Sequence, residues 1–310
     1  MFFSVIIPTY NRAHILEDCL SALFEQSVAK EDYEVIVVDD GSIDATKKLV
    51  KSLQNTHKNL VYLYQENQRQ GIARNLGVKK AQGKVVVFIG DDIIPTKDFL
   101  FEHQRLHYVD MADNAAVLGF IAWHPKLRIN NFMRWMTDGS SILGKFGGHQ
   151  FAYEKLQGKP FADYNFFYTS NISLKRSLLE KYPFDPAFTI YGWEDIELGY
   201  RMFMREKLRI HYNPKALAYR DRLMTDESLK TRMFDIGKSA WIIHRKYPEL
   251  NKVPSLMKGF TFKVLGSGLS LFFLATVYKL SGKKWYHFYY YALSKRYFMK
   301  GIAEGEKLFR

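Results

Sequence analysis

Two neighbouring acids, Asp91 and Asp92, stand directly behind the run Val85-Val86-Val87-Phe88-Ile89. Carboxylates this close repel one another and lose hydration as the chain folds around them, so a cation has to compensate them. Oxygen ligands alone select a hard divalent ion, Mg²⁺ or Mn²⁺. Two more acidic pairs follow the same logic of placement. Asp39-Asp40 lies behind Glu34 to Val38, and Glu194-Asp195 opens a pattern of Ile196, Leu198, Met202 and Phe203 that predicts a helix. Carboxylates in a first helical turn are favoured by the macrodipole. Earlier still, Pro8-Thr9-Tyr10-Asn11-Arg12 sets an aromatic ring behind another strand-like run. A ring after one strand and a carboxylate after the next can sandwich a nucleobase and accept a hydrogen bond from its N–H.

Strands must deliver these groups to one edge. Strand-like runs recur at Ser4 to Pro8, Glu34 to Val38, Leu60 to Tyr64 and Val85 to Ile89. Helical patterns lie between them, one with Leu16, Cys19 or Leu20, Leu23 and Phe24 on a face, the next from Asp44 to Leu53 behind an N-capping Asp. Strands alternating with helices about every 25 to 30 residues indicate βαβ units and a parallel sheet, whose carboxyl edge binds ligands. No G-x-G-x-x-G follows the first strand, so a dinucleotide cofactor is not expected. A helix from Lys97 to Val109 and a strand from Ala115 to Ile121 continue the pattern, and Lys175-Arg176 starts a further helix.

With 310 residues, 47% hydrophobic and 16% aromatic, the chain can bury a large core and hold one big domain with an appendage. Its single cysteine, Cys19, excludes an internal disulfide framework, fits a reducing compartment and falls on an apolar face that suggests packing. Met1-Phe2-Phe3 runs straight into a strand, without the pattern of a secretory signal, so a cytoplasmic location is expected.

Taken together, SVIIPTYNR, VIVVDDGSIDAT, ENQRQGIARNLGVKKAQGKVVVFIGDD and YGWEDIELGYRM resemble the family-2 glycosyltransferases over about the first 220 residues, four weak motifs in order making a strong one. The resemblance implies an α/β GT-A fold, a Rossmann-like, mostly parallel central sheet flanked by helices, as a catalytic domain over residues 1–225. It implies sugar transfer with inversion from a nucleotide-diphosphate sugar, a UDP sugar by expectation, to a hydroxyl of a glycan or lipid-linked acceptor. By the same likeness Pro8 and Tyr10 lie against the base with Asn11 beside them, Asp40 contacts base or ribose, and Asp39 packs or caps. Arg74 reaches the diphosphate or ribose, Asp91 sits near the ribose and Asp92 holds Mg²⁺ or Mn²⁺. Asp195 becomes the general base, Glu194 contacts or orients the acceptor, and Trp193 stacks against a sugar face. One departure stands out. Similar enzymes often carry a His after the next strands, where this chain has Arg220-Asp221. Arginine does not ligate metal. Either Arg220 neutralises phosphate, or His211 substitutes, or Asp92, phosphates and water hold the ion. A sugar-phosphate nucleotidyltransferase shares the sheet type, but its glycine-rich basic loop is missing; a non-catalytic membrane scaffold with a nucleotide pocket is the reading from another class.

Two stretches lie outside that pattern. Between Asp138 and Asn171 come Gly139, Gly144, Gly147, Gly148 and Gly158 among Phe146, Phe151, Tyr153 and Phe161, with His149 in their midst, read as a binding-loop wall. Residues 226–310 form a helical, basic and aromatic extension with sixteen Lys and Arg against six Asp and Glu. There Leu229, Met233, Ile236, Ala240 and Ile243 recur at helical spacing, predicting a helix packed on the catalytic domain. Val264 to Tyr278 is apolar but short of the roughly 20 residues that span a bilayer, so it reads as a monotopic or re-entrant segment, or as a buried helix. Lys283 to Tyr291 mixes cations with interfacial rings, which suits an anionic membrane surface, at the inner face of the cell membrane, better than nucleic acid.

Overall fold

Runs of Val, Ile and Phe that cannot be wetted on either face become the central strands. The computed structural model describes residues 1–137, 148, 152–282 and 284–309. His149, Gly139, Gly144, Gly147, Phe146, Phe151 and Lys283, read above as parts of a binding loop and a basic run, lie outside the described residues. The first elements are β1 (Phe3–Thr9), α1 (Ala13–Phe24), β2 (Tyr33–Asp39), α2 (Thr46–Leu53), β3 (Leu60–Tyr64), α3 (Arg69–Lys80) and β4 (Val85–Ile89). After them come β5 (Ile93–Pro95), α4 (Phe99–Val109), β6 (Ala115–Trp123), α5 (Asn131–Thr137), β7 (Asn171–Lys175), α6 (Arg176–Lys181), α7 (Glu194–Glu206) and β8 (Arg209–Arg220). The rest is helical: α8 (Asp226–Lys246), α9 (Leu256–Leu265), α10 (Gly268–Leu280) and α11 (Tyr286–Phe309). Two compact units result, one of Met1–Leu127, Gly158–Pro186 and Glu194–Arg222, the other of Arg128–Gln157, Ala187–Trp193 and Leu223–Arg310.

The first unit holds an eight-stranded sheet in the order β3-β2-β1-β4-β7-β6-β8-β5. Its first four strands are parallel, and every residue of β2 and β4 is buried. Register is what builds the ligand edge: Thr9 lies level with Asp39, and Asp39 with Tyr64, so the loops behind β1, β2 and β3 open side by side. Beyond β4 the sheet is mixed, because β7 runs antiparallel to both β4 and β6. β8 then runs parallel to β6, so its end at Arg220 returns to the same edge, where Ile93 of antiparallel β5 pairs with it. α1 buries Leu16, Cys19, Leu20, Leu23 and Phe24 as its spacing predicts. Burial pushes the Cys19 thiol well up, and its Sγ donates weakly to the Gly90 carbonyl at 3.7 Å, so this cysteine packs.

In the second unit α8 and α11 cross so closely that no side chain fits between them. A Cβ on Gly237 would meet the Phe298 carbonyl oxygen at 2.2 Å, and one on Gly301 the Phe234 oxygen at 2.0 Å. Ala240, Phe262, Phe298 and Ile302 make the core beside that crossing. No single helix among the described residues is long and apolar enough to cross a membrane; α9 and α10 pass that test only together, bent by 51° at their break. α10 has no buried residue, so the buried-helix alternative for Val264 to Tyr278 is set aside.

Candidate active site at the carboxyl edge of the sheet

One chain of polar contacts runs along the edge of the first unit. Asp91, buried behind β4, accepts from Thr9 Oγ1 at 2.9 Å and from Arg12 Nη1 at 2.9 Å. The Thr9 carbonyl in turn accepts the Asp40 N–H at 2.9 Å. Asp40 Oδ1 takes Gln65 Nε2 at 2.6 Å and the Gln68 N–H at 2.9 Å, and its Oδ2 takes the Arg69 N–H at 2.9 Å. With those bonds Asp40 anchors the first turn of α3. From that turn Gln70 Nε2 donates to Glu194 Oε1, and Arg74 Nη1 lies 3.9 Å from the same oxygen. Asp195 is the next residue. Acids that are 155 positions apart by residue number (Asp40 and Asp195) are thus joined through one helical turn.

The β1 and β2 loops are also laced together. Asn11 Oδ1 accepts the Ile43 N–H at 2.8 Å while the Asn11 N–H donates to Ser42 Oγ at 2.8 Å. Asn11 itself has φ 53°, a left-handed conformation Asn tolerates better than most residues. Gly41 at φ 89° leaves room for the Asn67 backbone nitrogen, which a Cβ would approach to 2.9 Å. Asp39 fills the packing role expected of it, accepting the Ser42 N–H at 2.8 Å and the Tyr62 hydroxyl at 2.7 Å. Asp44 joins the start of α2 to that of α1, accepting the Thr46 and Ala13 N–H groups at 3.0 Å each. The Tyr10 ring is 47% exposed, open to a stacking partner, and Pro8 precedes it at the strand's end.

Charge is concentrated around Asp91 and Asp92. Burial raises Asp91, the Arg12 guanidinium pulls it back, and Asp92 adds to the rise. Arg220 Nε is 3.9 Å from Asp92 Oδ2, held there because the Asp221 N–H donates to the Asp92 carbonyl at 2.9 Å. Burial lowers Arg222, helped by the charges of Arg12 and Arg220, while Asp92 and Asp91 oppose the shift. The guanidiniums of Arg12, Arg220 and Arg222 are thus gathered around Asp91 and Asp92. Among the described residues no group of three or more His, Cys, Asp or Glu could hold a metal. The one carboxylate of Asp92 still fits Mg²⁺ or Mn²⁺, since such ions are commonly held by one or two carboxylates with substrate phosphates and water.

At the start of α7, burial raises Asp195 to about 7, with the neighbouring Glu194 adding to the rise and Arg74 opposing it. Asp195 Oδ1 accepts the Ile196 N–H at 2.8 Å. Glu194 is buried against Gln70 and Arg74, so its carboxylate orients α3 and α7 rather than facing outward. One expected residue lies elsewhere. His211 pairs with Val117 and Arg220 with Trp123, six strand positions apart once the β8 bulge is passed, roughly 20 Å at strand rise, and His211 bonds Asp110 at 2.7 Å, so it is not the substitute third ligand. Trp193 belongs to the second unit, where its Nε1 donates to the Ile236 carbonyl at 2.9 Å and Lys252 lies 4.7 Å over its ring. Phe161 is tied to the same far end of β8, edge-on to His211 at 5.0 Å. Sequence reasoning gave no role to Thr9, Arg12 or Arg222. Their signal was present: Thr9 and Arg12 belong to the PTYNR loop, and Arg222 follows Arg220 at alternate spacing.

A profile of Glycosyl transferase family 2 matches residues 4–182, more than half of the chain. The chain belongs to this family. Validoxylamine A glucosyltransferase of Streptomyces hygroscopicus subsp. jinggangensis (strain 5008) is 30% identical to this family-2 glycosyltransferase over 215 residues, 64% of this chain and 50% of the relative. The chain spans half or less of the length of the first curated relatives it matches. Mannosyltransferase PcManGT from Pyrobaculum calidifontis, solved with GDP-Man and Mn²⁺, superposes with a TM-score of 0.64 at 20% identity, over 98% of this chain and 86% of that one. S. aureus TarS 1–349 in complex with UDP-GlcNAc gives 0.55 at 17% identity, over 99% and 92%. These likenesses show the GT-A fold that the motifs implied, and the family match puts the chain with the glycosyltransferases rather than with the sugar-phosphate nucleotidyltransferases.

Proposed function

We propose that this glycosyltransferase inverts the anomeric centre of a nucleotide-diphosphate sugar, a UDP sugar, as it transfers the sugar to a hydroxyl of a glycan or lipid-linked acceptor. The observation that carries the reading is the continuous network from Asp91 through Thr9, Asp40 and the first turn of α3 to Glu194, with Asp195 beside it. TarS was solved with UDP-GlcNAc and PcManGT with GDP-Man, which supports a nucleotide-sugar donor in this fold.

In this mechanism Tyr10 and Pro8 receive the base, and the acceptor capacity left on Asp40 takes a base or ribose donor. Asn11 braces that pocket through Ile43 and Ser42. Asp91 lines the ribose side, and Arg74 reaches toward the ribose or diphosphate. Arg220 stands where relatives often place a histidine and neutralises phosphate directly, together with Arg12 and Arg222. Asp92 would hold Mg²⁺ or Mn²⁺, which when bound stabilises charge on the departing diphosphate. The acceptor oxygen attacks the anomeric carbon as the bond to the phosphate oxygen breaks. Its proton passes to Asp195, whose raised affinity for protons suits a base working near neutrality.

Asp195→Asn separates this chemistry from binding. Loss of a general base should cut transfer by roughly 10²–10⁴-fold. Calorimetric affinity for the nucleoside diphosphate should stay within about twofold, because the base is not expected to touch the nucleotide. Unchanged turnover removes Asp195 as the base; failure of the wild-type chain to bind any nucleoside diphosphate removes the donor reading.

A further inference from the structure

The second unit carries an apolar surface that its own fold does not use. On α9, Leu256, Phe260 and Val264 recur every fourth residue and are exposed, Leu256 at 96%. On α10, Leu269, Phe272 and Phe273, at i, i+3 and i+4, are exposed at 82%, 73% and 64%. A helix on a water-facing surface normally turns its polar stripe outward, so these two are reversed.

The reversal is built in. The inner side of α9 is pinned by Phe262 in the core, and Gly266 lies so close to Arg296 that a Cβ would meet its backbone at 2.8 Å. Arg296 Nη1 donates to the Gly266 carbonyl at 3.1 Å. At the far end of α10, Tyr278 stacks on Tyr289 at 5.2 Å and accepts from Asn131 Nδ2 at 3.2 Å. The apolar stripes are thus held outward at both ends of the helix pair.

Charge says what covers them. From Lys252 to Ala303 the chain has nine Lys and Arg and no Asp or Glu. Lys258 and Lys263 lie on α9, Lys279 ends α10, and exposed Lys284 and Trp285 follow. Cations and an indole rimming an apolar face match the headgroup region of an anionic bilayer. A second copy of the chain is the rival occupant, and it would bring two cationic rims together.

We propose that the outer faces of α9 and α10 insert in the plane of an anionic membrane, with Lys258, Lys263, Lys279 and Lys284 against lipid phosphates. This docking stands on the second unit alone and does not depend on the transfer chemistry. The test uses the full chain with vesicles of phosphatidylcholine and phosphatidylglycerol at about 3:1, and of phosphatidylcholine alone. Cosedimentation should favour the anionic vesicles at least about tenfold, and the tryptophan emission should shift to the blue in wild type and not in Trp285→Phe. Phe272→Asp with Phe273→Asp should weaken binding by at least about tenfold with the melting temperature unchanged, since both rings are exposed. The proposal is overturned if the wild-type chain stays in the supernatant, if neutral vesicles bind it equally, or if the double variant binds like wild type. It is equally overturned if light scattering shows a dimer that the double variant converts to monomer.

Discussion

Asp195→Asn should inactivate the enzyme and stabilise it at the same time. The reason is linkage. A carboxyl whose folded pKa is raised, here from 3.8 to about 7, contributes stability in full below its unfolded pKa. That contribution is lost as pH rises through the folded value, because the folded chain must then ionise a half-buried acid beside Glu194. Relative to the protonated carboxyl, the cost is about 2 kcal/mol at pH 5 and about 4 kcal/mol at pH 8. Asparagine resembles the protonated acid and is spared this. The variant should therefore gain on wild type by roughly 2–3 kcal/mol between pH 5 and pH 8, read as the difference in urea midpoints across that range. The activity limb follows from the same number: wild-type kcat/KM should fall about tenfold per pH unit below about 7 and level off above it. A pH-independent stability difference, or a flat profile from pH 5.5 to 8, would refute the reasoning.

Other consequences follow from the geometry. If Arg220 neutralises phosphate as proposed, Arg220→Ala should drop kcat/KM about 10–100-fold without rescue by saturating Mn²⁺, whereas Arg220→His should recover in proportion to added metal; full rescue of the alanine variant would deny Arg220 that role. Buried His103 and His107 share Ser173 Oγ at 2.8 and 2.9 Å, and burial lowers them to about 4 and about 3. The unfolded chain therefore protonates first, stability is whole above about pH 6.5, and each should cost up to roughly 2–3 kcal/mol by pH 4.5. Urea midpoints should show a smaller acid loss in His107→Gln than in wild type. Gly301→Ala forces a Cβ against the Phe234 carbonyl and should destabilise the chain by about 1–3 kcal/mol or more in thermal unfolding; an unchanged midpoint would mean the helix crossing yields freely.

Much of the fold was legible because burial writes itself into local sequence. Runs such as Val85 to Ile89 are strands wherever they fall, and helical spacing in Leu16 to Phe24 leaves one face to bury. The antiparallel return of β7 was not legible, since pairing partners 82 to 90 residues apart leave no mark on Asn171 to Lys175. The same limit governs the site. Sequence alone determined the acidic pairs, the loops that carry them and the family to which they point. Tertiary structure decided which of those groups meet: β8 carries Arg220 to Asp92 and His211 to the opposite edge, α3 links Asp40 to Glu194, and Trp193 goes to the second unit. Strand and helix propensity act over a few neighbours, whereas charge pairing and burial act through space, and only the folded chain sets those distances.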